Sequence, residues 1–377
     1  MAKSFNALLN KRPPWFSQVG AGGEIILGSM ARVVRNLPGH CFPGWSTEEG
    51  RKAVANILLP VILELPGNKS AAFSAELSNL SYTQRRVLLE RKQISHSMAA
   101  RQSGCHIVIN GKQDTVFMIN EEEHLVMHFF STDADCLPVL KRASTITQTL
   151  EKKLQFATNA NGDNLTSLPT EAGCGVQLYT ILHLPGLVTA NMMQQVHRGL
   201  EKTGLSLSPF YQNLGDDAGN LFVVYTAPIP QGEEEEVAEM LLEITSTLQV
   251  RECQVRNRLI QNPETTSLIP DLVNRAYGIL RYACRMEYKE FITSLSMLKL
   301  GLSVGFIQPT TLTPVELLNK FSEYMLETAP YHAEYRHQLT DSLQHSMRCL
   351  INCSILAEID LLSDFYNAAE AAFLDEQ

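Results

Sequence analysis

Strand signals along this chain stop at Asn262-Pro263, and that change of pattern constrains the fold more than any other feature. Ahead of it, short runs of β-branched and aromatic residues alternate with helical periodicity. Cys105–Ile109 and Thr115–Ile119 read as two strands joined through Asn110-Gly111, a pair that tolerates the positive φ of a tight turn. Glu24–Ser29, Leu125–Phe130, Leu178–Leu184 and Leu221–Ala227 are further strand candidates. Strands separated by short turns favour an antiparallel sheet flanked by helices, so the predicted fold class is α+β. Ser46-Thr-Glu-Glu49 has the capping-box pattern, followed by Ala53, Ile57, Leu58 and Val61 at helical spacing. The four acids Glu233–Glu236 suit the positive end of a helix macrodipole, and Val237, Met240, Leu241, Ile244 and Leu248 continue an apolar face. Behind Pro263, Thr313-Pro-Val-Glu316 is another capping box with proline at the first helical position. Val315, Leu318, Phe321 and Met325 follow on one face, and the remainder to Gln377 reads as helix. The predicted domains are 1–262, mixed sheet and helix, and 263–377, all helical.

Composition narrows the function. At 377 residues and 45% hydrophobic, the chain can bury the cores of two domains. Lysines and arginines number 31 against 40 acids, a net charge of −9, which makes gripping nucleic acid or anionic lipid through bulk charge a poor expectation. The N-terminal stretch lacks the apolar core of a secretory signal. The longest apolar run, near Ile57–Leu65, is interrupted by Pro60 and Glu64, so no membrane span is expected. Eight cysteines show no CxxC pair and no zinc-ligand spacing, and read as reduced, mostly buried thiols of a cytoplasmic protein.

Common catalytic signatures fail. There is no GxxxxGK[ST] loop and no GxSxG elbow, and Gly20-Ala-Gly-Gly23 is too short for a dinucleotide fingerprint. His124 and His128 fall on an expected strand, where they share a face without meeting as they would on a helix, so no metal site is assigned. The stretch that stands out is Asn120-Glu-Glu-Glu-His-Leu125, directly after an apolar strand. Three adjacent acids there are solvated, metal-bound or employed as base.

Val116–Asn120 with Glu121-Glu122 resembles the "NEEDH" box of the ATP:guanidino phosphotransferases. The resemblance runs in order through Trp15-Phe-Ser-Gln18, Ile25–Asn36, Phe42-Pro43, Leu89-Glu-Arg91 with Ile94-Ser95, His183-Leu-Pro185, Gly219-Asn220, Ala276-Tyr-Gly-Ile-Leu280 and Leu300-Gly301. It is strongest to the bacterial protein-arginine kinases of that family. It implies a guanidino-kinase catalytic fold over 1–262, a helical domain for dimerisation or docking over 263–377, and transfer of the ATP γ-phosphoryl to a guanidinium nitrogen with Mg·ATP as cofactor. Phosphoryl transfer is mostly positioning and charge stabilisation, so the family cradles the polyphosphate with arginines and holds the guanidinium with glutamates.

Carried over residue by residue, the resemblance assigns Glu121 and Glu122 to catalysis, and Glu122 also to guanidinium binding; Glu123 replaces the usual aspartate. Arg32 matches one phosphate-binding arginine. Met30, Val126, Gln177 and Ser208 stand where four others belong, and Asn213 stands where the second guanidinium-binding glutamate belongs. Leu168 occupies the place of the family's reactive cysteine, with Cys174 expected to be structural. Arg35 is expected to have a structural role. The helical end does not reproduce the "RDxxRA" phosphoarginine patch, so Arg336 and Arg348 are expected to be solvated helix residues. Hydrogen bonds to charged groups contribute about 1.5–3 kcal/mol each, so four lost arginines cost on the order of 6–12 kcal/mol of grip on phosphate. Three readings stay open. The first is a pseudokinase serving as a binding or regulatory subunit in arginine phosphorylation or protein quality control, without cofactor. The others are a working protein-arginine kinase using Mg·ATP, and a purely structural dimer. All three expect a homodimer or a complex with a partner protein, and neither nucleic acid nor membrane.

Overall fold

The structure, a computed structural model, describes residues 4–13, 24–69, 73–101, 103–215 and 217–361. Trp15-Phe-Ser-Gln18, the Gly20–Gly23 cluster and the chain from 362 to 377 lie outside the described residues. Eight antiparallel strands form one sheet in the order β2-β3-β4-β5-β1-β6-β8-β7. They are β1 (Ile26–Arg35), β2 (Phe73–Glu76), β3 (His106–Ile109), β4 (Thr115–Ile119), β5 (Leu125–Ser131), β6 (Val176–His183), β7 (Leu205–Pro209) and β8 (Leu221–Thr226). The short β2 and β7 gave no sequence signal; they sit at the two edges, where fewer side chains are buried.

The helices ahead of the boundary are α1 (Phe5–Leu9), α2 (Glu48–Leu63), α3 (Tyr82–Glu90), α4 (His96–Ala100), α5 (Leu137–Glu151), α6 (Pro185–Thr189), α7 (Met193–Glu201) and α8 (Glu234–Gln261). Of these, α2, α5 and α8 pack against the sheet. Strand alternation sends Ala31 and Val33 of β1 into the core, whereas Met30 and Arg32, two residues apart, stay half-buried and line a cleft on the other face. That alternation separates core from site.

Two local expectations shift. The β3–β4 turn spans five residues, and its positive φ falls on Gln113 (φ 62°), not on Gly111. The Asn110 side chain supplies the turn chemistry by accepting from the backbone N–H of Asp114 (3.1 Å) and Thr115 (3.3 Å). Buried Gln113 is held by Arg91 (2.9 Å) and Gln93 (3.0 Å). In α2 the cap is Thr47, one residue later than expected, accepting from Gly50 N (3.1 Å). The buried stripe is consequently Val54, Ala55, Leu58 and Ile62, leaving Ala53 and Ile57 exposed.

Beyond Pro263 lie α9 (Leu268–Tyr282), α10 (Tyr288–Ser303), α11 (Pro314–Glu327), α12 (Pro330–His337) and α13 (Asp341–Leu356). The α11 capping box forms as the sequence predicts, with Thr313 and Glu316 each bonding the other's backbone N–H. Its buried side is Leu317, Leu318 and Phe321, and Val315 is exposed. The region is not wholly helical: Ile307–Pro309 (β9) pairs antiparallel with Ile359–Leu361 (β10). Three-residue strands are too short to show a period, which is why the sequence hid them. Arg348 is buried, not solvated, and donates to the carbonyls of Met286 (3.0 Å) and Thr328 (3.3 Å), while Arg336 is exposed and donates to Asn10 (3.2 Å). Cys105, Cys136 and Cys174 are buried, and Cys41, Cys253 and Cys284 are exposed.

The helical region docks on the sheet region through polar contacts. Ser296 of α10 bonds Asn220 (2.7 Å) and His183 (2.7 Å). Glu90, the last residue of α3, accepts from the first-turn N–H groups of α12 at Tyr331 (2.9 Å) and His332 (2.8 Å). Burial raises Glu90 to about 7, outweighing those two donors and the charges of Arg86 and Arg348. The fold therefore favours the protonated carboxyl relative to the unfolded chain. This site's contribution to stability is greatest at acid pH and falls as pH rises from about 4.5 to about 7, by on the order of 3 kcal/mol. Glu90→Gln should flatten that part of the stability–pH curve, measured by urea denaturation; an unchanged slope would show that Glu90 is ionised without penalty.

Candidate functional site

The half of the sheet that α2, α5 and α8 leave uncovered forms the floor of a cleft of about 740 Å³. Strand register sets its floor in rows. Met118 of β4 pairs with Val126 of β5 nearest the acidic box. Next along the strands come His128, Arg32 and Gln177, paired across β5, β1 and β6. The following row is Phe130, Met30, Tyr179 and Tyr225, and beyond it Ile181, Val223 and Ser208. Met30, Arg32, Val126, Gln177 and Ser208, chosen from four separated stretches of sequence, thus share one cavity. Asn213 does not line it: the exposed turn after β7 directs Gln212 inward instead. Leu168 is 53% exposed and outside the cleft. Cys174 is buried with Arg35 and Glu151 around a pocket on the opposite face. There Arg35 pairs with Glu151 (3.2 Å) and donates to the carbonyls of Val34 (2.8 Å) and Cys174 (3.1 Å).

The acidic box has three different members. Glu123 turns away and is buried, accepting from Asn36 (2.7 Å) and from the backbone (2.9 Å) and hydroxyl (2.8 Å) of Ser167. Glu121 lines the cleft and accepts from the hydroxyls of Ser95 and Ser97 and from Glu122 N (2.6 Å). Burial pushes its carboxyl up, yet these donors outweigh burial and hold it below the ordinary value. Glu122 is exposed at the cleft mouth and shifts the other way, raised first by partial desolvation and then by the charge of Glu121. Two neighbouring carboxyls are therefore split, one a fixed anion and the other a better base, which is the arrangement general acid–base chemistry uses.

The phosphate end is different. Arg32 donates to Gln177 Oε1 (3.2 Å), so the retained arginine faces a neutral amide where a second cation would stand. The Tyr179 hydroxyl donates to the same oxygen (3.1 Å), and its ring stacks on Tyr225 with centroids 5.6 Å apart. Burial drops His128 to about 3, leaving it neutral at physiological pH. Lys92, missed in the sequence because a lone lysine after a helix has no periodic signal, lines the wall. It donates to Phe210 O (2.9 Å) and burial lowers it to about 8. Among the described residues, the cleft lining carries two cations, Arg32 and Lys92, against three carboxylates, Glu121, Glu122 and Glu171. The stretches outside the described residues contain one lysine, Lys3, and no arginine. A triphosphate needs convergent positive charge, so these residues do not fit the polyphosphate of Mg·ATP. Among the described residues no group of three or more His, Cys, Asp or Glu is placed to hold a metal, and no helix is long and apolar enough to cross a membrane.

An antiparallel sheet with an acidic box beside its central strands, flanked by helices, is the architecture of the guanidino kinases. Solved relatives share that fold: a lombricine kinase superposes with a TM-score of 0.53 at 16% identity, covering 67% of this chain and 71% of that one. The duplicated taurocyamine kinase from Schistosoma mansoni with bound transition state analog components gives 0.55 at 18% identity, covering 69% of this chain and 37% of that longer one. The family model for the ATP:guanido phosphotransferase C-terminal catalytic domain matches residues 54–255, more than half of the chain, and the chain belongs to that family. The model for the protein-arginine kinase McsB C-terminal domain matches residues 266–360. Curated relatives agree along the length. The protein-arginine kinase of Halothermothrix orenii is 28% identical over 332 residues, 88% of this chain and 92% of that one. The protein-arginine kinase of Shouchella clausii is 27% identical over 304 residues, 80% and 84%.

Proposed function

We propose that this chain is a protein-arginine kinase homologue that holds arginine side chains without phosphorylating them, serving as a binding or regulatory subunit in an arginine-phosphorylation or protein-quality-control system. The observation that carries this reading is the charge of the cleft: three carboxylates, a neutral His128, and Arg32 turned to Gln177 in place of a second arginine. Such a lining attracts a guanidinium and repels a polyphosphate. Glu121 and Glu122 supply the carboxylates, and Ser95 and Ser97 fix the first of them. Residues 263–377 would provide the surface for a homodimer or partner, which sedimentation of the full chain tests.

A second reading, a working protein-arginine kinase with Mg·ATP, is favoured by the split carboxyl pair and by the activity for which the relatives are named. Calorimetric titration with an arginine-containing peptide, beside a phosphoarginine assay with Mg·ATP, separates the two. The proposal expects peptide binding that Glu122→Gln weakens about 10- to 100-fold, the loss of one charged hydrogen bond, with no phosphoarginine formed. Phosphoarginine formation abolished by Glu122→Gln would overturn it in favour of the kinase.

A further inference from the structure

The row that holds Met30, one of the four replaced arginine positions, is continuous and uncharged. Phe130, Met30, Tyr179 and Tyr225 lie side by side across β5, β1, β6 and β8, each paired with the next by strand register. Tyr179 spends its hydroxyl on Gln177, so its ring faces the cleft without an unmet polar demand, and its stacking on Tyr225 makes a rigid two-ring platform. Ile181 and Val223 of the next row extend it, and all six residues line the cleft that also contains Glu121, Glu122 and Glu171. Successive rows on one face of a sheet are about 7 Å apart, two residues of strand rise. The Phe130 row lies two steps beyond the Met118–Val126 row beside the acidic box, so an acidic end and an apolar end stand about 14 Å apart along one groove. In an extended peptide, side chains four positions apart share a face with that spacing.

We propose that the Phe130–Met30–Tyr179–Tyr225 row is a subsite for an apolar side chain, so that the cleft takes unphosphorylated arginine presented in an extended segment with an aromatic or large aliphatic residue four positions away. The proposal rests on the arginine-holding reading above and adds to it a sequence preference. Charge complementarity commits the occupant: the guanidinium answers the carboxylates, and an uncharged neighbour is what a row without a charged side chain accepts. A phosphorylated arginine, bringing negative charge beside Glu121 and Glu122, is disfavoured.

The test is fluorescence anisotropy on the full chain with glycine-rich peptides carrying one arginine, with phenylalanine or glycine four residues away on either side. The phenylalanine peptide should bind about tenfold or more tighter, the value of burying one large side chain. Its phosphoarginine form should bind more weakly than the unmodified peptide. Met30→Arg, which puts a cation into the row, should bring the two unmodified peptides to within about twofold of each other; because the wild-type comparison stands alone, a poorly folding variant does not remove the test. Equal binding of the phenylalanine and glycine peptides overturns the subsite and leaves the arginine-holding reading intact. Failure of every arginine peptide to bind overturns that reading and the subsite with it, as does tighter binding of the phosphoarginine form.

Discussion

Millimolar Mg·ATP is expected to leave the thermal midpoint of this protein unmoved. A ligand stabilises the folded state by RT ln(1 + [L]/Kd), about 2.7 kcal/mol at a hundredfold excess over Kd, and by nothing measurable when Kd lies far above the ligand concentration. The cleft offers Arg32 and Lys92 to a polyanion, and both are committed: Arg32 to Gln177 and Lys92 to Phe210 O. Met30, Val126, Gln177 and Ser208 line the cleft and offer no positive charge. Converting Met30 and Gln177 to arginine together should recover about 3–6 kcal/mol of nucleotide affinity, two charged contacts at about 1.5–3 each, with coupling between neighbours widening that range. The measurement is a melting series with and without Mg·ATP for both proteins. A clear rise of several degrees in the unsubstituted chain would show that the polyphosphate is held after all, and the non-phosphorylating reading would fall.

The largest stability effect is expected at Glu252, far from the cleft. Its carboxylate is fully buried and accepts three bonds, from Gly186 N (2.7 Å), Leu187 N (2.8 Å) and Arg256 Nε (2.7 Å). Arg256 is itself buried and reaches on to Glu24 (2.9 Å) and Ser303 (2.8 Å), tying α8 to β1's approach and to the end of α10. Gly186 leaves the room this requires, since a Cβ there would lie 2.8 Å from Arg256 Cγ and 2.9 Å from Glu252 Oε1. Glu252→Ala takes the buried carboxylate from Arg256, which is left with the half-exposed Glu24, and deprives two buried backbone donors of their acceptor. Removing one partner of a buried ion pair costs about 3–5 kcal/mol. Urea denaturation should show that loss; a change under about 1 kcal/mol would mean that water or Glu24 takes over the abandoned groups.

The pattern of strands before residue 262 and helices after it was legible because both signals are local: alternation in β5, periodicity and an acidic first turn in α8, the reciprocal cap of α11. So was the family, carried by short ordered motifs, and with it the absence of arginine from positions 30, 126, 177 and 208. Less legible was everything set by contact between distant segments. Lys92 gives no pattern, yet the end of α3 delivers it into the cleft. Gln212 rather than Asn213 lines the cleft, because the path of the turn after β7 is set by its packing and not by its own sequence. Arg348 looked like a solvated helix residue, but α13 lays it against the carbonyls of Met286 and Thr328.

By itself the sequence determined which residues exist to do chemistry: an acidic box retained and a cationic cradle largely replaced. Tertiary structure alone decided that those replacements lie in adjacent rows of one sheet, that Tyr179 and Tyr225 stack beside Met30, and that Glu123 leaves the box to brace a loop. The physical reason is that side-chain alternation is written along each strand, whereas the register between strands follows from packing that no single segment contains.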